Sequence, residues 1–176
     1  EYSEGIIALS ACLAGNVQNY LLRDYYEGAK QEAEDLLDIF GEGNFYLEIQ
    51  DQGLEEEAFI KPGLVRLSKE LGIPMVATND VHYLMKDDAE MQDVMMCVAM
   101  QKFVDDPDRF KFSTDELYFK TYDQMLAGLP NDAEALATTL EIADKCNYGF
   151  VYGHYLFPKY VPEGGYNDEV GATPKE

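Results

Sequence analysis

Basic residues are scarce in this chain of 176 residues: 13 Lys and Arg stand against 34 Asp and Glu, a formal charge of −21 at pH 7. Duplex DNA is held mainly by Lys and Arg neutralising phosphates. A surface this acidic repels nucleic acid at long range, and no Lys/Arg cluster stands out to override it. Any work on DNA therefore needs a separate basic surface. Clustered carboxylates also attract divalent cations, although solvated, solubilising charge is the plainer reading. Long apolar runs are lacking too: the longest is a few residues, where a membrane span needs roughly 20. The opening residues Glu1-Tyr2-Ser3-Glu4 carry no basic flank and no apolar stretch, so no secretory signal is expected there. The three cysteines, Cys12, Cys97 and Cys146, form no CxxC pair. That argues against a disulfide framework or a zinc ribbon and favours a reducing cytoplasm. P-loop, GxGxxG and GxSxG patterns are missing. The two histidines, His82 and His154, stand too far apart in sequence to support a Ser-His-Asp arrangement. Asp105, Asp106 and Asp108 lack the alternation and closing Glu of a calcium loop and read as a solvated loop.

What is present is enough apolar sequence, 47%, for one domain with a sizeable core. Gly5–Ser10 reads as a buried strand ending in the small-residue turn Ala11–Gly15. Asp24–Phe40 has helical spacing at Ala29, Ala33, Leu36, Leu37 and Phe40, stopped by Gly41 and Gly43. Asn44–Ile49 is a second strand. Leu54–Leu71 is helical, with a break or kink predicted at Pro62-Gly63, and Ile73–Thr78 is a third strand. This β-α-β-α-β alternation predicts parallel strands in an α/β sheet or barrel, with chemistry at the strands' C-terminal ends. Asp87–Met100 is a Met- and Ala-rich helix, expected in the core or at a domain interface rather than as a binding groove. Glu116–Lys120 is a short extended piece. Two short helices follow at Thr121–Ala127 and Ala133–Cys146, the second capped by Asn131 or Asp132. From Tyr148 on, Gly, Pro and Tyr dominate without a period, as in a linker or a docking segment.

The most informative run is Ala77-Thr78-Asn79-Asp80-Val81-His82-Tyr83-Leu84. Asp80 and His82, two apart just past a strand end, point the same way if the chain is extended. A carboxylate oxygen and an imidazole nitrogen then approach one site suited to Zn, Mn or Fe, with Asn79 orienting a ligand from behind or capping the turn. On spacing alone the plainer alternative stays open, with Asp80 as a helix cap and His82 on the surface. Cys12 lies at the matching end of another strand. A small buried cysteine is usually packing, but its thiolate could join the same cluster. His154 falls in the irregular tail.

These residues resemble a known family. Residues 5–15, residues 41–53 and, almost letter for letter, Leu71-Gly72-Ile73-Pro74-Met75-Val76-Ala77-Thr78-Asn79-Asp80-Val81-His82-Tyr83-Leu84 are similar to the PHP (polymerase and histidinol phosphatase) domain of bacterial DNA polymerase III alpha subunits. So are residues 106–120 and 134–147, all in order along the chain. Gln52 stands where many relatives have His.

The resemblance implies the C-terminal part of a distorted seven-stranded (β/α) PHP barrel at residues 1–147. Residues 148–176 would then be a linker or the start of the next polymerase segment. It implies a metal centre whose ligands on this chain are Cys12, Asp80 and His82, with Asn79 in support and divalent Zn, Mn or Mg as cofactor. The remaining ligands come from a preceding stretch, so the chain alone is expected to be inactive and to bind no metal or only part of a centre. An intact domain of this family is implied to act as a metal-dependent 3′–5′ exonuclease or phosphoesterase in proofreading, with metal-bound hydroxide attacking the phosphodiester. The parent would be a DNA-directed DNA polymerase of the bacterial cytoplasm whose polymerase site lies elsewhere. Its partners would be the rest of the alpha subunit, DNA, the sliding clamp and the proofreading subunit. Two alternatives are a metal-free scaffold that binds partners and a stand-alone PHP phosphoesterase. Residues 109–146 follow the polymerase pattern and argue against the latter. A partial barrel would expose strand edges and apolar faces, so self-association of the chain is also expected.

Overall fold

A computed structural model describes residues 2–153, 155 and 157. Residues Glu1–Cys146 form one compact unit and Asn147–Glu176 a second. His154 and most of the expected linker lie outside the described residues. In the second unit the rings of Tyr148 and Phe150 meet edge to face, 5.1 Å apart.

The first unit is α/β. Strands β1 (Ala8–Leu9), β2 (Phe45–Ile49) and β3 (Met75–Ala77) form a sheet in the order β1-β2-β3. Both pairings are parallel, with Ala8 opposite Phe45 and Ile49 opposite Ala77. β2 is the centre of the sheet, and four of its five residues are buried, as expected of a parallel strand covered on both faces. Helices α1 (Asn16–Leu22) and α2 (Tyr26–Phe40) link β1 to β2, and α3 (Glu55–Leu71) links β2 to β3. After β3 come a 3-10 turn (Lys86–Asp88), α4 (Ala89–Met100), α5 (Tyr122–Gly128) and α6 (Ala133–Lys145). α6 packs on β3 and α5. The core gathers Val17, Leu21, Ala29, Ala33, Phe45, Leu47, Ile49, Leu64, Leu67 and Leu136.

Four features depart from the sequence reading. The expected buried strand Gly5–Ser10 is reduced to the two partly buried residues of β1, and Ile6 is exposed. No periodicity marks the seven residues of α1, yet Val17, Gln18 and Leu21 are buried there. Helix α3 runs without a break through Pro62. Ile60, Leu64 and Leu67 are buried on either side of the proline. Gly63 lies so close to α1 that a Cβ there would come within 2.8 Å of Leu21 Cδ2. Tertiary packing thus holds a turn that local propensity disfavours. The Met-rich helix α4 is not in the core, the first of the two places expected for it. Only Cys97 is buried, while Met91, Val94, Met95 and Val98 are exposed. Its fixed point is Asp93, which accepts from Arg109 Nη1 and Nη2 at 2.6 and 2.7 Å, while Arg109 Nε donates to Val104 O at 2.9 Å. This paired fork shapes residues 103–110. At the start of α6, Asp132 takes the capping position, but its carboxylate accepts from Lys61 Nζ of α3 at 2.6 Å.

Candidate functional site

Parallel strands place their C-terminal ends along one edge of the sheet. Residues 10–12 follow β1, residues 50–52 follow β2 and residues 78–82 follow β3. The segment after β1 is held from below. Glu48 N donates to Ser10 Oγ at 2.8 Å. Gln18 Nε2 donates to Ser10 Oγ at 2.7 Å, Ala11 O at 2.9 Å and Glu48 O at 3.3 Å. Ala11 sits at φ +67, a left-handed conformation that turns the chain into Cys12. Cys12 is half-buried and lines a small cavity with Glu48 and Glu57. Between β2 and β3, Gln50 Nε2 donates to Glu48 Oε1 at 3.0 Å and to Thr78 Oγ1 at 2.9 Å, and Thr78 Oγ1 donates to Glu48 Oε1.

Beyond β3 the backbone is not extended. Asp80 takes φ +45, so the strand-like alternation expected to align the Asp80 and His82 side chains does not hold at this turn. Both residues are exposed. His82 Nδ1 lies 2.6 Å from Asp80 O. A carbonyl only accepts, so this contact puts the proton of a neutral imidazole on Nδ1 and leaves the Nε2 lone pair open, the form that binds metals. The His82 ring packs edge to face on Phe112 at 4.7 Å. Asn79 is buried, and its Nδ2 donates to Glu116 O at 2.9 Å and Tyr118 O at 2.8 Å. These two bonds hold the expected extended piece alongside the turn. There Tyr118 pairs in parallel with Tyr83, and His82 N donates to Leu117 O at 2.9 Å.

The fit to a metal is therefore partial. Among the described residues no three His, Cys, Asp or Glu side chains come together in a group that could hold an ion. Cys12, Asp80 and His82 share a sheet edge without closing a site of their own.

The sequence reading missed Glu57 and Gln18. Glu57 is the third residue of α3. Its Oε2 accepts from Gln52 N at 2.7 Å and Leu54 N at 3.2 Å, joining the loop after β2 to the helix start. Glu three residues past the capping position was the available signal. Nothing local marks Gln18. Burial pushes the Glu57 carboxyl above its usual range and nearby Asp51 adds to this, while the two backbone amides and Lys120 pull it down. The Asp93 carboxyl is held low by its bonds to Arg109, and that of Glu116 by Lys86 and then Lys120. The signs are opposite. An acid raised on folding weakens the fold at neutral pH, and that loss is relieved as pH falls through its folded value toward the usual 4.5. Asp93 and Glu116 contribute stability above their usual values of 3.8 and 4.5, and this is lost as pH falls through their lowered ones. In thermal melts, stability should therefore rise from neutral pH toward 4.5 and fall below about 4. The variant Glu57→Gln should lose the rise and keep the fall; profiles that run parallel would show that Glu57 is not the group responsible.

Comparison with known proteins gives this edge a context. Residues 1–52 match the family model described as PHP domain. DNA polymerase III subunit alpha of Treponema pallidum is 39% identical over 160 residues, which is 91% of this chain and 14% of that protein. The Helicobacter pylori (strain 26695) subunit is 44% identical over 83% of the chain and 13% of the protein. The Thermus aquaticus subunit is 36% identical over 93% of the chain and 14% of the protein. This chain is homologous to the PHP region of DNA polymerase III alpha subunits. It spans about 14% of the length of these relatives. Within that PHP region, β1, β2 and the residues at their C-terminal ends as far as Gln52, Cys12 included, fall inside the family match, while β3 with Asp80 and His82 lies beyond it.

Proposed function

We propose that this chain is part of the PHP domain of a replicative DNA polymerase III alpha subunit, working in the bacterial cytoplasm. In this reading residues 1–147 are the C-terminal part of a (β/α) barrel that reaches seven strands when complete, and residues 148–176 lead into the next polymerase segment. Cys12, Asp80 and His82 are this chain's contribution to a divalent-metal centre, with Asn79 behind them. The completed centre would supply a metal-activated nucleophile and charge stabilisation for 3′–5′ phosphodiester hydrolysis in proofreading. The observation that carries the reading is the placement of Cys12 and of Asp80 and His82 just past the ends of two strands of one parallel sheet, in a chain homologous to alpha subunits. The polymerase site, DNA, the clamp and the proofreading subunit belong to the parent protein. No helix among the described residues is long and apolar enough to cross a membrane.

A second reading is a metal-free scaffold that braces the polymerase. It is favoured by the lack of a three-ligand group among the described residues and by the exposed apolar side chains of α4. Elemental analysis and zinc or manganese titration of the parent subunit separate the two. Wild type should hold metal, and Asp80→Ala/His82→Ala should bind it at least about 10-fold more weakly. Equal metal content in both proteins would sink the ligand assignment, and a wild type that holds no metal would leave the scaffold. The chain on its own should bind weakly, because its donors do not close around one ion.

A further inference from the structure

A cavity of about 10 Å3 lies beside the ends of β1 and β2, lined among others by Cys12, Gln18, Glu48, Gln50, Glu57 and Lys61. Gln18 and Glu57 are 1% and 5% exposed. Each has one side-chain oxygen without a hydrogen-bond partner, Gln18 Oε1 and Glu57 Oε1. The orientation of the Gln18 amide is set by its neighbours. Its Nε2 faces the carbonyl oxygens of Ala11 and Glu48, which can only accept, so the other end must be the oxygen. Glu57 Oε2 is already occupied by two backbone amides, which leaves Oε1 as the free acceptor. The Lys61 ammonium bonds to Asp132 at 2.6 Å and makes no bond to Glu57 Oε1, which has no partner.

Two buried acceptors without partners, on residues that line one cavity, call for a small species with two donors. The space is that of about one water molecule. We propose that the cavity holds a single internal water that donates one O–H to Gln18 Oε1 and the other to Glu57 Oε1. An anion would bring no donor. A bare magnesium or calcium ion would need about six or more oxygen ligands, where the lining residues carry two buried oxygens without a partner. The water joins α1 to α3 behind the loop that carries Cys12, and it stands independently of the metal-ligand reading.

A crystal structure of the full chain, at a resolution that shows ordered solvent, tests this. The expected result is one density peak in the cavity, about 2.6–3.2 Å from both oxygens. Three results would overturn the proposal: a cavity without density, side chains turned so that the two oxygens meet protein donors, or a peak within about 2.4 Å of both oxygens, a metal distance. Soaking the crystals in rubidium or manganese chloride gives a separate reading. No anomalous signal is expected in the cavity, and a signal there would replace the water with a cation site.

Discussion

Gly15→Ala should destabilise the chain by about 2–3 kcal/mol in urea denaturation, near the upper end for overpacking. Gly15 precedes α1 with φ −63 and ψ 149, a conformation open to any residue, so backbone strain is not the cause. The cause is space. A Cβ at this position would stand 2.1 Å from Ser10 O, 2.8 Å from Gln18 Oε1 and 3.1 Å from Cys12 O. The first of these contacts is with backbone and cannot be relieved by a rotamer change. Relief must move residues 10–15, and with them the Ser10 hydroxyl that accepts from Glu48 N and Gln18 Nε2. The same shift displaces Cys12, so the substitution should also weaken any metal affinity that Cys12 supports. Gly149→Ala is the control: a Cβ there meets nothing within 4 Å, and the change should stay within about 0.5 kcal/mol. Equal stability of Gly15→Ala and wild type would refute the close packing of the β1 end against α1.

Asn79→Ala should cost about 2–3 kcal/mol, because it removes two hydrogen bonds at a buried position and leaves two carbonyls without their donor. Asn79→Asp is the sharper substitution. It keeps the shape but sets a carboxylate against the carbonyl oxygens of Glu116 and Tyr118, so it should be at least as damaging as alanine. Hydrogen exchange localises the effect. The amides of His82 and Phe119, which donate to Leu117 O and to Tyr83 O across this pairing, should lose protection before those of β2. An Asn79→Asp protein within about 0.5 kcal/mol of wild type would mean that the side chain does not hold this segment. The consequence for function is positional: the segment that Asn79 holds also fixes the backbone of His82.

Much of the architecture was legible because its signals are local. The apolar runs of β2 and β3, the 3-4 spacing of α2, and the glycines at 41 and 72 depend on neighbours a few residues away. The β-α-β-α-β order then implied a parallel sheet, and the sheet is parallel. The candidate site was legible only as residue types at strand ends. Asp80 and His82 were paired on the premise of extended chain, whereas Asp80 turns left-handed and His82 bonds back to the carbonyl of Asp80. Asn79 reads from sequence as support for a ligand, but its donors are spent on backbone 37 and 39 residues away. Such separations leave no periodic trace in the chain.

By itself the sequence determined the parallel α/β order, the acidic surface and the set of metal-type side chains after β1 and β3, since composition and short-range spacing carry these. Only the tertiary structure decided that α3 continues through Pro62, that apolar side chains of α4 are exposed among the described residues, and that Gln18 and Glu57 line one cavity. Each of these depends on which distant atoms come within a few ångströms. Close packing and hydrogen bonding act over that range however far apart the residues lie along the chain.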